Sequence, residues 1–314
     1  MLKIVLLFVF SVECIFAGGI TQTEPVPHLS PLHINNDGRN TLEQPGASRA
    51  EQVMKALATA YPRQIERVEF RQGDWALFMR NTWYYYAGSK LLPENLLWSA
   101  ESYNPQPFYN YLKELPVWKT PSSEEAERYN NYTINRNINP LRRSPHFFDD
   151  LWRVHNREES YQRVKSIRFF GKTTMVHYMI LEELSLVEEM ILTAAKTDPQ
   201  IQTWINSLTT VEAWNWRNIA DTQSRSFHSY GLAVDLLPKS LGGKESYWLW
   251  ALRRKPDWWN VPYSDRFHPP DKVIKAFESY GFVWGGKWTF YDTMHFEYRP
   301  DILILSGMKV ETQR

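Results

Sequence analysis

Residues 226–235 read Ser-Phe-His-Ser-Tyr-Gly-Leu-Ala-Val-Asp, and residues 291–297 read Tyr-Asp-Thr-Met-His-Phe-Glu. Together they supply His228, Asp235 and His295, with Asp292 beside them. Two imidazoles and a carboxylate are three ligands suited to a zinc ion. A fold that uses them must bring two distant segments to one point. A catalytic zinc keeps its fourth position open for water, and a free carboxylate nearby, here Asp292, can take that water's proton.

The spacings fit a single site. Residues 232–234 are apolar and read as a buried strand arriving at Asp235, and Gly231 lets the backbone bend between the His228 loop and that strand. Asp292 and His295 are three apart, so an unbroken strand would set them on opposite faces. They converge only if the chain turns between them, and a bend is expected at Thr293 and Met294. Taken singly, His228 reads as a capped loop histidine, Asp235 as a turn residue and His295 as a satisfied core histidine. Taken in order, with Gly231 and Trp284-Gly285-Gly286 between the blocks, they read as a metal site.

This wording resembles the D-alanyl-D-alanine carboxypeptidase family of zinc peptidases, which shares its fold with the Hedgehog signalling domain. The resemblance rests on His228-x6-Asp235, on Gly281-Phe-Val-Trp-Gly-Gly-Lys-Trp288, and on Asp292-x-x-His295-Phe-Glu, and it spans about residues 160–305. The wording is closest to the L-alanyl-D-glutamate endopeptidase branch, whose members cut the L-Ala–D-Glu bond of peptidoglycan. Carboxypeptidase branches usually carry Glu-x-x-His with a Trp before the histidine, where this chain has Met294.

The resemblance implies an α+β fold, a Hedgehog/DD-peptidase-like antiparallel sheet with flanking helices. It implies Zn2+ held by His228, Asp235 and His295, with Asp292 as general base and then general acid. An arginine ahead of the first block stabilises the developing oxyanion in that family. Arg217 is the candidate, on a strand expected at residues 214–217, and Arg225, nearer His228, is the rival. Either could instead be a solvated charge. The implied activity is hydrolysis of peptidoglycan stem peptides at L-Ala–D-Glu. D-Ala-D-Ala carboxypeptidase action, another zinc hydrolase and a non-catalytic zinc-binding module are the alternatives.

The chain has 314 residues, 43% hydrophobic and 23% charged, enough for one large domain or two smaller ones. Its net charge of +1 gives no basis for nucleic-acid or electrostatic membrane binding. Residues 1–17 read as a secretory signal: Lys3, an apolar run at 4–10, then Ala17-Gly18-Gly19 for cleavage. The run is too short to favour a spanning helix, so no transmembrane segment is expected in the mature chain. The only cysteine is Cys14. Lipid anchoring would need cleavage just before it, which Glu13 fits poorly, so export to the periplasm or cell envelope without an anchor is the expectation. Cleavage at Ala17 leaves no thiolate for zinc. A monomer is the expected state.

Residues 18–45 read as a linker, with Pro25, Pro27, Pro31 and Pro45 among polar residues. His28 and His33 there read as solvated. An N-terminal α+β extension is expected over 46–158. Ser48 and Glu51 suggest a capping box opening a helix, and 68–70, 75–79 and 83–86 suggest an antiparallel sheet. Residues 119–145 read as a partly helical excursion. His146 and His155 flank an aromatic stretch suited to packing.

The zinc-peptidase domain is expected over 159–308. It opens with a hairpin about Gly171 and Lys172, then a helix from Ile180 with apolar positions at three and four, then a second after Pro199. His177 and His268 read as structural, and Arg253-Arg254-Lys255 as a solvated face or a contact to acidic peptides. Residues 271–280 suggest a helix and 281–284 a strand. Residues beyond about 305 are expected to fray.

Overall fold

The computed structural model of the chain describes residues 47–311. The signal expected at 1–17, the linker at 18–45, and with them Cys14, His28 and His33, lie outside the described residues.

Ser48 caps α1 (Arg49–Ala60), its hydroxyl accepting from the Glu51 N–H at 3.2 Å. Val53, Leu57 and Ala60 recur at helical spacing and are buried. Strands β1 (Arg67–Arg71), β2 (Asp74–Met79) and β3 (Thr82–Tyr85) follow, and short β4 (Leu92–Pro93) completes an antiparallel sheet in chain order. A two-residue parallel pair, β5 (Tyr103–Asn104) with β6 (Arg142–Arg143), brackets α2 (Ser123–Asn135). The capping box of Ser122 and Glu125 opens α2. The aromatic stretch forms α3 (His146–Trp152), and Phe147, Leu151 and Trp152 enter the main core.

After α4 (Arg157–Arg163) comes the expected hairpin, β7 (Val164–Phe169) with β8 (Lys172–His177). It turns on Phe170 and Gly171, both at positive φ, one residue earlier than the alternation suggested. The apolar period continues as α5 (Leu181–Ala195), burying Leu184, Val187 and Ile191, and Pro199 opens α6 (Pro199–Ser207) behind the Asp198 cap.

The sheet that carries the site is antiparallel, in the order β11-β12-β10-β9. Its strands are β9 (Leu208–Glu212), β10 (Ala233–Pro238), β11 (Phe282–Trp284) and β12 (His295–Tyr298). Helix α8 (Asp271–Ser279) covers one face, with Phe277 stacked on Phe296 at 3.9 Å between centroids. Burying one such phenyl ring contributes roughly 2–3 kcal/mol. Between the blocks, α7 (Trp248–Leu252) joins Trp258 and Tyr291 in a second apolar cluster. Helix α9 (Pro300–Leu305) packs on α1, and the buried Tyr61 hydroxyl donates to Asp301 at 2.8 Å. One continuous core holds residues of α1, α3, the hairpin, α5 and the site sheet.

Two expectations need correction. Residues 214–217 are not a strand; the strand is β9, which ends at Glu212. Their polar groups instead bond to α4 and to the turn carrying His228: Trp214 Nε1 donates to Ser160 Oγ, Asn215 N to His228 O and Arg217 N to Ser229 Oγ. The tail beyond 305 is docked as far as Glu311. Met308 and Val310 pack against Leu303 and its neighbours, and the Glu311 N–H donates to Ser279 O at 2.7 Å. Among the described residues no helix is long and apolar enough to cross a membrane.

Candidate metal centre

His228 sits on a single 3-10 turn, Phe227–Tyr230, whose N–H is capped by Ser226 Oγ at 3.3 Å. The turn ends at Gly231, with φ +72°. A Cβ there would also lie 2.8 Å from His177 N and from Val164 Cγ1. Glycine is thus required twice, for the left-handed backbone and for the close approach of the hairpin. Asp235 is the third residue of β10, and the register sets it opposite His295 at the start of β12.

One ligand atom each from His228, Asp235 and His295 lies within 4.8 Å of the others. His228 Nδ1 faces the Ala213 carbonyl at 2.5 Å, and a carbonyl only accepts, so Nδ1 carries the hydrogen and Nε2 the lone pair. That lone pair points at Asp235 Oδ2, 3.2 Å away, and at His295 Nδ1, also 3.2 Å away. His295 Nε2 faces Glu297 Oε2 at 3.4 Å, which fixes Nδ1 toward Asp235 Oδ1 at 2.8 Å. Three electron-pair donors therefore converge, each imidazole held from behind by an oxygen acceptor. Such a donor set fits zinc and its usual outer partners.

Without a cation, a proton is held at the same point. Burial alone would raise the Asp235 carboxyl, but His228 and then His295 outweigh it and hold it well below the usual carboxylate range. Burial alone would lower His295, but hydrogen bonds to Asp235 and Glu297 raise it to about 10. A proton and a cation thus compete for the same lone pair.

Asp292 lies beside this set and outside it. The expected bend is present: Thr293 and Met294 form a turn, with the His295 N–H donating back to Asp292 O. Burial, and then the Asp235 charge, push the Asp292 carboxyl up to about 7, while His295 and Arg217 pull the other way. Its Oδ1 is buried without a hydrogen-bond partner among the described residues. The Trp-Gly-Gly stretch has a steric role here. A Cβ on Gly285 would strike Asp292 O at 2.5 Å, and one on Gly286 would enter the Trp284 ring. The Trp284 indole N–H in turn donates to Thr293 O at 2.8 Å.

The two arginines differ. Arg225 is committed: it donates to Asp149 and to Val154 O and lies over the Trp216 ring. Arg217 is exposed, reaches only Asn218 O at 3.4 Å, and has a charge felt by Asp292. Both line an open cleft of about 400 Å3 with Trp216, Asn218 and Ser229.

The other histidines lie outside the cluster. His177 donates from Nε2 to Trp152 O and accepts at Nδ1 from Met179 N, while His155 bridges Asp150 and Glu159. His268 packs edge-on against Trp284. Sequence reasoning named Glu297 only as part of the motif wording. Its position two residues after His295, on the same face of β12, was the available signal. Nothing local marked the Ala213 carbonyl.

Residues 220–298, which contain His228, Asp235, Asp292 and His295, match the family described as D-alanyl-D-alanine carboxypeptidase. This segment is similar to peptidases of that family, and Arg217 falls just before it. Residues 53–108 match a family described as a domain of unknown function. No curated protein and no solved structure matches the chain.

Proposed function

We propose that the chain is an exported, monomeric zinc metallopeptidase that hydrolyses peptidoglycan stem peptides at L-Ala–D-Glu. In this reading the site sheet with α5, α6 and α8 is a Hedgehog/DD-peptidase-like unit over 159–308, and 46–158 is an extension of it. The supporting observation is the convergence of His228, Asp235 and His295 with Asp292 alongside but not among them. A zinc ion bound there would supply Lewis acidity toward the peptide carbonyl and the attacking water.

The chain's own groups do the rest. Asp292 accepts the water's proton as it attacks and returns it to the departing amine. A carboxyl held near 7 is matched to proton transfer in both directions near neutral pH, and a divalent cation nearby would draw it lower and favour the base form. Arg217 donates to the carbonyl oxygen as negative charge develops there. A purely structural metal site has no use for a buried carboxylate with an unpaired oxygen, which weighs against a non-catalytic module.

D-Ala-D-Ala carboxypeptidase action is the second reading, favoured by the description of the matched family. Incubation of the zinc-loaded protein with a stem pentapeptide, followed by mass analysis, separates the two. New D-Glu amino termini are expected. Release of D-Ala with L-Ala–D-Glu intact would overturn the endopeptidase reading, and no cleavage of either bond would overturn the peptidase reading.

A further inference from the structure

Peptide hydrolysis passes through a tetrahedral carbon that carries two oxygens, one from the carbonyl and one from water. In the reading above Arg217 meets the first and Asp292 the second. A further donor aimed at either would stabilise the developing charge, provided that it has no partner of its own.

Most hydroxyls around the site are committed. Ser226 Oγ accepts from His228 N, Ser229 Oγ donates to Arg217 O at 2.6 Å, and the Tyr230 hydroxyl donates to Asp149 at 2.8 Å. Tyr247 differs. It is half-buried, and its ring lies edge-on to Trp250 with centroids 5.8 Å apart. Its hydroxyl makes no hydrogen bond among the described residues.

Main-chain hydrogen bonds fix where Tyr247 sits. Thr293 N donates to Ser246 O at 2.7 Å and Trp248 N to Tyr291 O at 3.0 Å, so Tyr247 and Asp292 are directly opposed antiparallel partners. The two bonds flank the pair rather than join it. Such a pair is the narrow kind, with Cα atoms about 4.5 Å apart and both side chains leaving on one face. The Tyr247 carbonyl also accepts from Trp250 N at 3.0 Å and Ala251 N at 3.1 Å, in the first turn of α7. The position is thus pinned from two sides.

On the face that the two side chains share, Asp292 has its unpartnered Oδ1. A phenol reaches farther than a carboxylate from a neighbouring starting point, so the Tyr247 hydroxyl extends past Asp292. Burial, and then the Asp292 charge, push that hydroxyl up to about 12, so it keeps its proton near neutral pH.

We propose that Tyr247 is a further catalytic residue, whose hydroxyl donates a hydrogen bond to an oxygen of the tetrahedral intermediate beside Asp292. The proposal rests on the peptidase reading above. The phenol keeps its proton throughout; the proton that moves is the one Asp292 carries from water to the departing amine.

The test uses L-Ala-γ-D-Glu-L-Lys and its phosphinate analogue, with PO2–CH2 in place of the scissile CO–NH. The two phosphinate oxygens stand for those of the intermediate. Tyr247→Phe removes the hydroxyl and keeps the ring against Trp250. For the zinc-loaded wild type and variant, kcat and KM are measured by alanine release, phosphinate binding by calorimetry and zinc by elemental analysis. In the variant kcat should fall by about tenfold or more, with KM and zinc content unchanged, and phosphinate binding should weaken by a similar factor. A smaller loss in kcat overturns the proposal. So does a loss in which KM or zinc content moves too, or one that leaves phosphinate binding unchanged, since a structural role would do either. A wild type that releases no alanine, yet binds the phosphinate more tightly than the variant does, sinks the peptidase reading and leaves the donor standing. Phosphinate binding by neither protein sinks both.

Discussion

Gly231→Ala tests how the site is built. Gly231 has φ +72°, and an alanine held there costs roughly 1–2 kcal/mol. The new methyl would sit 2.8 Å from His177 N and Val164 Cγ1, well inside ordinary contact. His177 N cannot retreat freely, because it donates to Gly231 O at 2.9 Å. Overpacking of this kind costs about 1–3 kcal/mol. Together the two effects come to roughly 2–5 kcal/mol, and for a chain of this size that lowers the melting temperature by on the order of 10 °C. Gly231 ends the turn that carries His228, so a backbone shift that relieves the collision would displace His228, and zinc affinity should fall as well. Calorimetric melts with zinc and with chelator, plus a zinc titration, read both effects. In a Val164→Ala background one obstacle is gone, so the double variant should lose less than the sum of the singles. A Gly231→Ala protein that melts within about 2 °C of the wild type and binds zinc equally well would refute the close approach.

Three further outcomes follow from the site and its surroundings. Asp292→Asn should keep its zinc and lose about a hundredfold or more in kcat, measured by alanine release beside elemental analysis; an active variant removes Asp292 from proton transfer. Arg217→Ala should lower kcat with little change in metal content, and unchanged turnover would remove its oxyanion role. His177 is held at about 4 by burial, below its ordinary 6.5, so the unfolded chain takes up the proton first as pH falls. Its contribution to stability is complete above about 6.5 and lost on descending to about 4, on the order of 3 kcal/mol. Denaturant titrations of His177→Gln across that range should show a correspondingly shallower loss, and identical profiles would place the proton elsewhere.

The site was legible where its logic is local. Asp292 and His295 cannot share a face of an unbroken strand, so the bend at Thr293 and Met294 followed once both were assigned to one site. Gly231 was legible as a bend, but its steric role was not, since Val164 and His177 arrive from a hairpin distant in sequence. Residues 214–217 alternate aromatic and polar as a strand does. Their hydrogen bonds go to a 3-10 turn and to α4, which periodicity cannot show. The tail looked free because its partners, Leu303 and Ser279, are met only after folding.

Zinc titration of the chelator-stripped protein, followed by stem-peptide hydrolysis, tests the central claim most directly. Activity should be absent without metal and should rise linearly to a break at about one zinc per chain. His228→Ala and His295→Ala should neither bind the ion tightly nor recover activity. Full hydrolysis in the stripped protein, or full zinc binding in either variant, would contradict the assignment of these residues.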